Sequence, residues 1–569
     1  MASQQDTVQV VIDSLKAAGV TTVFGVPGAK IDSVFNALVD HPEIKLVVCR
    51  HEQNAAFIAG AVGKLTDRPG VVIVTSGPGT SNLVTGLVTA TDEGSPIVAI
   101  VGSVKRVQSA RRTHQSLQGV ELLRPVTKKV VAALVEDQVA ELVADAFRVA
   151  ASFPRGAAAV SLPIDIMTPK KSLTACPALP ASAFVPPKLG PAPDSLLARA
   201  VEMVAQAKFP VLFLGMRASS ARVVDAVHGL LRKHPLPVIE TFQAAGAISR
   251  ELAHLFYGRV GLFRNQPGDR LLAQADLVLT VGYDEAEYDS SQWNATPGRF
   301  NIIHLDYQPA NVGPNYEPAV ELVGSLVENI CSLAARLSDP GVAIARPQDT
   351  DAAKQIFEDF HSWENSELAV SRPAEGPVHP LQFIRTLQEL IVPESVVTCD
   401  VGSVYIYMSR YFYSYTPKTF LVSNAQQTLG VALPWAIGAS LSQDPPCSKK
   451  VVSISGDGGF QFSGQELATA VLQGCKIAHF IWNDSRFNMV EFQEVDKYGR
   501  SSGIELGGVD FVKYAEAFGA KGLRASTPAE LDAVVAEALA YDGVCLVDVV
   551  IDYSSNHELM QHVIADSVV

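Results

Sequence analysis

The sequence predicts an α/β protein made of three doubly wound parallel-sheet domains. Strand-like runs such as VVIV (71–74), VLFLG (211–215) and VVSIS (451–455) alternate with longer amphipathic segments along the whole chain. This alternation is typical of helices that pack on both faces of a parallel sheet. Because 569 residues are too many for one hydrophobic core, we expect several domains.

Two stretches interrupt the alternation and divide the chain into three segments of similar size. Residues 175–193 read ACPALPASAFVPPKLGPAP, and residues 338–351 read SDPGVAIARPQDTD. Both are predicted to be linkers, because proline-rich or turn-forming stretches of this kind connect domains. The predicted domains cover residues 1–175, 192–338 and 375–555.

Composition excludes several classes of partner. A formal net charge of −14 disfavours nucleic acid, which is bound by clustered Lys and Arg. The longest apolar stretch, residues 429–441, is too short for a membrane span and contains Pro434. Seven cysteines without C-x-x-C spacing imply neither a disulfide framework nor a thiolate metal site. The N-terminus carries Asp6 and Asp13 and is not rich in Arg, so we expect a cytoplasmic protein.

The first and last segments contain a weak internal echo. Residues 71–90 read VVIVTSGPGTSNLVTGLVTA, and residues 451–470 read VVSISGDGGFQFSGQELATA. Each run predicts a buried strand, a glycine turn and the start of a helix. Such units occur throughout α/β proteins. The echo nevertheless suggests that the outer segments share a fold and face each other across a site.

The strongest functional signal is the run Gly456-Asp457-Gly458-Gly459, directly after the strand VVSIS. A later strand, KIAHFIWN (476–483), is followed by Asp484, 27 positions after Asp457. Neighbouring parallel strands would bring both carboxylates to the same edge of the sheet. Mg²⁺ prefers oxygen ligands and often bridges carboxylates to phosphates, which glycine N–H groups also bind. G-D-G alone is an ordinary turn, but the second acidic strand end favours a magnesium and phosphate site.

This pair of motifs resembles the cofactor site of the thiamine diphosphate-dependent enzymes. The resemblance implies three domains of that enzyme type, with thiamine diphosphate and Mg²⁺ as cofactors. Asp457, Asp484 and the backbone carbonyl of Arg486 would hold the metal. Further cofactor contacts are implied for Gly28, Gly402, Ser403, Leu429, Gly456, Gly458, Gly459, Phe487, Asn488 and Met489.

The first segment supplies the acid that activates the cofactor in this family. The runs FGVPGAK (24–30) and RHEQNAA (50–56) match the family pattern of an F-G-x-P-G turn followed by R-H-E. The match implies that Glu52 engages the aminopyrimidine of the cofactor, whose amino group then acts as a base. A lone glutamate after a strand is usually only a solvated charge. In the family this glutamate and the G-D-G motif come from different subunits, which implies a homo-oligomer with the active site at the subunit interface.

Several further roles are implied by the resemblance. Leu429 stands where the family places an apolar wedge beneath the bent cofactor, although a core leucine is a close alternative. Gln115 matches an active-site glutamine that orients intermediates, and a plain polar loop residue is an equally good interpretation. The predicted substrate pocket comprises Lys30, Gln115, Tyr405 and Gln493.

Within the family the chain resembles the catabolic acetolactate synthases over essentially its whole length. The runs VTSGPGTSNL, SNAQQTLGVALPWAIGA and FNMVEFQE carry much of this likeness. The implied reaction decarboxylates pyruvate, a small 2-oxo acid, and joins the two-carbon unit to a second pyruvate to give 2-acetolactate. Tyr405, Leu429 and Arg486 depart from the catabolic pattern. The alternative is therefore a related acyloin-forming lyase or 2-oxo acid decarboxylase with another acceptor.

The flavin that biosynthetic relatives carry is not expected here. Those relatives have a glycine-rich turn and an arginine-bearing run where this chain has LGMRAS (214–219) and GYDEAEY (282–288). The acidic residues would repel a flavin diphosphate, so no FAD is predicted. Gln493 replaces a tryptophan of the biosynthetic branch, which implies that pyruvate is both donor and acceptor.

Overall fold

The computed structural model describes most of the chain: residues 5–168, 173–174, 176–262, 266–369 and 375–556. Residue 1 and residue 175, the predicted limits of the first domain, lie outside this part, and residue 175 is also the predicted start of the first linker. Three six-stranded sheets with flanking helices form the molecule, and every strand pair within them is parallel. The predicted α/β fold with three doubly wound sheets is confirmed.

The N-terminal sheet has the strand order β3-β2-β4-β5-β7-β6, and β1 pairs with β8 in a separate antiparallel ribbon. The strands are β1 Gln5–Asp6, β2 Thr22–Val26, β3 Lys45–Val48, β4 Gly70–Val74, β5 Ile97–Ser103, β6 Lys129–Ala132, β7 Ala157–Pro163 and β8 Leu173–Thr174. The helices are α1 Thr7–Ala17, α2 Asp32–Ala37, α3 Glu52–Thr66, α4 Pro78–Ser81, α5 Val84–Asp92, α6 Gly119–Leu123 and α7 Val139–Ala151.

The central sheet has the order β11-β10-β9-β12-β13-β14. Its strands are β9 Pro210–Leu214, β10 Val238–Thr241, β11 Phe256–Val260, β12 Leu277–Val281, β13 Asn301–Asp306 and β14 Val320–Val323. The helices of this region are α8 Asp194–Gln206, α9 Ala221–Lys233, α10 Pro267–Leu272, α11 Ser290–Trp293, α12 Leu326–Leu337 and α13 Asp351–Ala369.

The C-terminal sheet has the order β16-β15-β17-β18-β20-β19. Its strands are β15 Val397–Cys399, β16 Phe420–Val422, β17 Val451–Gly456, β18 Ile477–Asn483, β19 Lys521–Ala525 and β20 Val544–Val550. The helices are α14 Pro380–Leu390, α15 Ser403–Tyr411, α16 Ala432–Leu441, α17 Asp457–Ser463, α18 Leu467–Leu472, α19 Asn488–Tyr498, α20 Phe511–Ala517 and α21 Pro528–Ala540.

The outer two sheets share one topology. Counted along each sheet's own strands, both have the order 2-1-3-4-6-5, whereas the central sheet has the order 3-2-1-4-5-6. The two halves of the sequence echo fall on β4 and β17, each the third strand of its sheet. The prediction that the outer segments share a fold is therefore confirmed.

The two predicted linkers contain more structure than their composition indicates. Phe184, within the first, is buried and packs edge to face against Phe147, with ring centroids 5.7 Å apart. The second contains a short 3-10 helix, Pro347–Asp349, and its Val342 and Ile344 pack against the core of the central domain. In both places apolar side chains anchor the chain to a neighbouring core. Within the described residues, no helix is both long and apolar enough to cross a membrane.

The N-terminal and C-terminal domains share a hydrophobic core, because α3 packs closely against α16. A Cβ atom at Gly438 would lie 2.6 Å from the carbonyl oxygen of Ile58 and 2.8 Å from the Cβ of Ala61. The shared core includes Ala59 on α3 and Ile437 on α16. This contact fixes the position of α3, whose first residue is Glu52, relative to the C-terminal domain.

Candidate active site

Two carboxylates meet at the carboxyl edge of the C-terminal sheet, as the sequence predicted. β17 and β18 pair in parallel; Asp457 follows the first directly, and Asp484 follows the second. Asp457 is only 2% exposed, and burial together with the nearby charge of Asp484 raises its pKa to about 7. Burial raises the pKa of Asp484 to about 6. A buried and a partly buried carboxylate with raised pKa values, placed this close together, are suited to a cation.

The loop after β18 is held in a defined shape. Ser485 adopts a left-handed conformation with φ of 61°. The N–H of Phe487 donates to Ile504 at 2.8 Å, and the N–H of Leu506 donates to Ser485 at 3.0 Å. The Arg486 side chain forms an ion pair with Glu491 on α19. The guanidinium is thereby neutralised, and the predicted use of the Arg486 backbone carbonyl for the metal stays a prediction.

Glycines at two neighbouring strand ends leave room for an anion. A Cβ atom at Gly402, which has φ of 122°, or at Gly456 would meet nothing within 4 Å. The other two glycines of the motif are covered: a Cβ at Gly458 would lie 2.6 Å from the Phe487 ring, and one at Gly459 would lie 2.8 Å from Asp400. Open space over exposed backbone beside two carboxylates fits a diphosphate with its Mg²⁺.

Side-chain amides surround the open space at Gly402 and Gly456, which we call the glycine cradle. The hydroxyl of Ser403 donates to Asn488 Oδ1 at 2.9 Å. The Asn488 side chain in turn forms a hydrogen bond with Asp484, which offsets part of the rise that burial causes in the pKa of Asp484. Asn556 Nδ2 donates to the same Asn488 oxygen at 2.6 Å and to the Ser403 hydroxyl at 3.0 Å. Asn556 Oδ1 is buried and has no partner in the described part of the chain. Sequence reasoning missed Asn556.

Asp400 holds the turn that carries Leu429. It accepts hydrogen bonds from the N–H groups of Gly430 at 2.9 Å, Ala432 at 3.2 Å and Val401 at 2.9 Å. Burial raises the pKa of Asp400 to about 6. Leu429 itself is only partly buried and is not a member of any hydrophobic core cluster. This position argues against the core-leucine alternative.

The predicted residues of the N-terminal domain gather around Thr75, next to the end of β4. Glu52 is 8% exposed, and its Oε2 accepts a hydrogen bond from Asn82 Nδ2 at 2.9 Å. A Cβ atom at Gly28 would lie 2.6 Å from the Thr75 side chain, and the N–H of Lys30 donates to Thr75 Oγ1 at 3.2 Å. A Cβ atom at Gly79 would lie 2.9 Å from the Thr75 side chain and 3.4 Å from Glu52 Oε1, so Gly28, Lys30 and Glu52 all lie near Thr75.

Gln115 has two features of a functional residue. Its backbone is in the left-handed region, with φ of 59°, and Ser76 Oγ donates to its carbonyl at 2.7 Å. The side-chain oxygen, Oε1, is buried without a hydrogen-bond partner among the described residues. A strained residue with an unused buried acceptor is a candidate for a ligand contact.

Two residues of the predicted substrate pocket lie elsewhere in the single chain. Tyr405 is fully buried; its hydroxyl donates to Asn424, and its ring packs edge to face on Phe242 of the central region at 5.9 Å. Gln493 is exposed on α19, a helix with no buried residue. In the described part of the chain no hydrogen bond joins either side chain to Gln115, and their role in a substrate pocket stays a prediction.

Three sequence families match successive parts of the chain. Residues 5–122 match the N-terminal TPP binding domain of thiamine pyrophosphate enzymes, residues 197–332 the central domain, and residues 400–549 the C-terminal TPP binding domain. The chain belongs to the thiamine pyrophosphate enzymes. Thiamine pyrophosphate is the same compound as thiamine diphosphate, so the predicted family and organic cofactor are confirmed.

The curated relatives of this thiamine pyrophosphate enzyme include acetolactate synthases. The chain is 47% identical to the acetolactate synthase of Bacillus subtilis (strain 168) over 558 residues, which is 97% of this chain and 94% of that relative. It is 42% identical to the catabolic acetolactate synthase of Raoultella terrigena over 550 residues, 97% of this chain and 96% of that relative. The predicted resemblance to this branch is confirmed.

Glu466 connects the C-terminal domain of this thiamine pyrophosphate enzyme to the N-terminal domain of the same chain. It is fully buried, and its Oε1 accepts hydrogen bonds from the N–H groups of Arg50 at 2.8 Å and His51 at 3.1 Å. Asn54 Nδ2 donates to the same oxygen at 3.3 Å. These contacts hold the start of α3, where Glu52 lies. The sequence contained no signal for them, because the partners are more than 400 positions apart.

We expect Glu466→Ala to lower both the stability and the turnover of the enzyme. The substitution leaves two backbone N–H groups without their acceptor, at a cost of about 1–3 kcal/mol each, and it releases the segment that positions Glu52. Glu466→Gln is the matched control, because it keeps an acceptor oxygen and should retain most of the activity. Thermal unfolding and kcat measure the two effects. An alanine variant as stable and as active as the wild type would contradict this role.

Proposed function

We propose that the protein makes 2-acetolactate and CO₂ from two molecules of pyruvate, using thiamine diphosphate and Mg²⁺. The observation that carries this proposal is the pair of neighbouring carboxylates, the buried Asp457 and the partly buried Asp484, beside an open glycine cradle. Near full-length similarity to proteins named acetolactate synthase supports the choice of reaction.

Each part of the site has a separate task in this proposal. When bound, thiamine diphosphate supplies the electron sink for decarboxylation. Asp457, Asp484 and the Arg486 carbonyl would hold Mg²⁺, and Glu52 would engage the aminopyrimidine ring as its proton donor and acceptor. Gln115, with its unused acceptor, orients the bound 2-oxo acid. The N-terminal domain supplies the residues for the last two tasks, and the C-terminal domain supplies those that hold the metal.

We infer that the active form is a homo-oligomer in which Glu52 of one subunit completes the cradle of another. In the described residues, the hydrogen-bond partner of the Glu52 carboxylate, Asn82, belongs to its own domain. Helix α19, beside the cradle, leaves Val490, Val495 and Tyr498 exposed by 44%, 49% and 64%. An apolar face of this kind indicates a protein interface. Sedimentation analysis that found only monomers in the active enzyme would contradict this inference.

We also propose that the enzyme carries no FAD. Ligands of doubly wound sheets bind where the strand order reverses, here between β9 and β12. At this point Arg217 forms ion pairs with Asp306 at 2.7 Å and with Asp284. Glu287 is buried, accepts a hydrogen bond from the Met216 N–H at 2.8 Å and has its pKa raised to about 8 by burial. The groups that would bind a flavin diphosphate are thus engaged by acidic side chains.

An absorbance scan of the purified protein tests the flavin proposal. The expected spectrum lacks the visible band of a bound flavin. Added FAD should neither bind nor raise activity. A stoichiometric flavin band would contradict the proposal.

The seven free cysteines support the further proposal of a cytoplasmic location.

Product analysis tests the reaction itself. The enzyme is incubated with pyruvate, thiamine diphosphate and Mg²⁺, and the mixture is analysed before and after acid treatment. Acetolactate, which yields acetoin in acid, is the expected product. Acetaldehyde, or a mixed acyloin when a second carbonyl compound is added, would instead favour the alternative of a decarboxylase or acyloin-forming lyase. The partly buried Leu429 and the buried Tyr405 are the departures that keep this alternative open.

A further inference from the structure

Two cysteines that are 28 positions apart in the chain lie side by side in the fold. The Sγ atoms of Cys447 and Cys475 are 3.9 Å apart. Cys447 is partly buried in the turn that follows α16, whereas Cys475 is fully buried just before β18. One thiol is therefore within reach of a small reagent, and the other is within reach of the first thiol only.

The backbone at both positions is anchored. The N–H of Cys447 donates to the carbonyl of Ser440 at 2.8 Å, and the N–H of Cys475 donates to the carbonyl of Ala470 at 3.0 Å. A disulfide needs the sulfurs to approach to about 2.05 Å. Rotation of the Cys447 side chain at the surface can supply most of that movement, because the turn that carries it is exposed on one side.

The charges around the pair distinguish the two thiols. The Cys475 thiol, by hydrogen bonding, and the positive charges of Lys45 and Lys476 lower the pKa of Cys447. The pKa of Cys475 is raised by its hydrogen bond to Cys447 and by burial. Cys447 therefore has the character of an attacking thiolate, and Cys475 that of a resolving thiol.

We propose that Cys447 and Cys475 form a reversible redox pair, which closes to an intramolecular disulfide on contact with a small disulfide such as oxidised glutathione. The Cys447 thiolate attacks one sulfur of oxidised glutathione, and a glutathione thiolate leaves. The Cys475 thiol then attacks the Cys447 sulfur, and its proton passes to the second glutathione as that leaves; the first glutathione thiolate takes up the proton that the Cys447 thiol had released to water. Both cysteines are oxidised, and the small disulfide is reduced to two thiols.

The new bond would lie at the amino ends of the strands, and the proposed cofactor cradle lies at their carboxyl ends. Cys475 precedes the first residue of β18, while Asp484 follows its last residue. The closed loop contains all of β17, α17 and α18, and therefore also Asp457. Closure therefore restrains the segment that carries the metal carboxylate without blocking the cradle, and we expect the oxidised enzyme to resist unfolding more than the reduced enzyme.

Peptide mapping tests the pairing. The reduced holoenzyme is incubated with oxidised glutathione, its remaining thiols are alkylated, and the protein is digested without reductant. We expect a cross-linked peptide containing Cys447 and Cys475, lighter by two hydrogen atoms than the sum of its parts, and its loss after dithiothreitol. Wild-type protein in which Cys447 carries glutathione while Cys475 is still alkylated would overturn the proposal, as would protein in which neither residue reacts.

Three variants separate the roles of the thiols. In Cys475→Ser, Cys447 should stop at the mixed disulfide with glutathione. In Cys447→Ser, Cys475 should stay unmodified because it is buried. Cys331→Ser removes an exposed thiol and is the matched control, in which the cross-link should form as in the wild type. Modification of Cys475 in the Cys447→Ser variant would contradict the proposed order of attack.

Thermal unfolding gives a second measurement, which does not depend on digestion. Oxidation should raise the unfolding temperature of the wild type, dithiothreitol should reverse the rise, and Cys475→Ser should show none. An oxidised wild-type enzyme with an unchanged or lower unfolding temperature would contradict the restraining effect. Activity of the reduced serine variants should match that of the reduced wild type, because neither cysteine is placed at the active site.

Discussion

Glu52→Gln is expected to lower kcat by about 10²–10⁴-fold, the usual contribution of a general acid or base, while cofactor binding largely survives. The amide has nearly the same size and can still accept a hydrogen bond from Asn82, which now lies 2.9 Å from the carboxylate. What it loses is the ability to exchange a proton with the aminopyrimidine ring. The expected result is therefore a protein that binds thiamine diphosphate and Mg²⁺ but does not turn over.

Two measurements distinguish this result from a folding defect. Titration with thiamine diphosphate, followed by protein fluorescence, should give an affinity near that of the wild type, and the unfolding temperature should be preserved. Glu121→Gln is the matched control, because Glu121 is an exposed glutamate of the same domain. A Glu52→Gln enzyme with wild-type kcat would remove Glu52 from the mechanism.

Mixing two inactive variants tests whether Glu52 acts across a subunit interface. If Glu52 of one subunit completes the cradle of another, a Glu52→Gln subunit paired with an Asp457→Ala subunit contains one intact site. Activity should then appear when the two proteins are unfolded and refolded together, and not when either is refolded alone. Absence of activity in the mixture, with the wild type recovering after the same treatment, would place both residues in one subunit's site.

The fold and the chemical core of the site were predictable from short segments of sequence. Runs such as VVSIS followed by Gly456 and Asp457 combine a buried strand, a glycine turn and a carboxylate within a few residues. Adjacent parallel strands then place Asp484 at the same edge, since strand order follows from the βαβ connections. Periodicity and turn chemistry are local properties, so they can be deduced without coordinates.

The contacts that support the site depend on distant parts of the chain and were missed. Glu466 reaches the N–H of Arg50, and Asn556 reaches Asn488 and Ser403. Each is a single polar residue for which no local pattern indicates a partner. Tertiary packing alone decides what such side chains contact.

Residues 282–288 show how the fold changes an argument made from sequence charge alone. Its acidic residues were expected to repel a flavin diphosphate. In the fold, Asp284 pairs with Arg217, a partner on another loop, and Glu287 caps the Met216 N–H. The negative charge is thus partly neutralised within the protein. Occupation of the binding groups, rather than repulsion alone, now supports the proposed absence of FAD.

Asp457→Asn should have opposite effects on the cofactor-free and the cofactor-loaded enzyme. The folded-state pKa of Asp457, about 7, lies above the ordinary aspartate pKa of 3.8. Its charge therefore destabilises the cofactor-free fold as the pH rises from about 4 to 7, and the cost is fully present above that range. An asparagine can still accept the 2.8 Å hydrogen bond from the Gly458 N–H but carries no charge. The unfolding temperature of the cofactor-free variant should exceed that of the wild type above pH 7, and the difference should vanish below pH 4.

With Mg²⁺ and thiamine diphosphate present, the order should reverse. The wild type gains stability from the bound metal and diphosphate, because ligands that bind only the folded state raise the unfolding temperature. The asparagine variant has lost a charged oxygen ligand and should gain much less, with activity that needs far higher Mg²⁺ concentrations. Asp510→Asn, which changes a partly exposed aspartate of the same domain, should respond to the cofactors as the wild type does. An Asp457→Asn enzyme stabilised by the cofactors as strongly as the wild type would show that Asp457 is not a metal ligand, since charge repulsion alone cannot explain a ligand-dependent reversal.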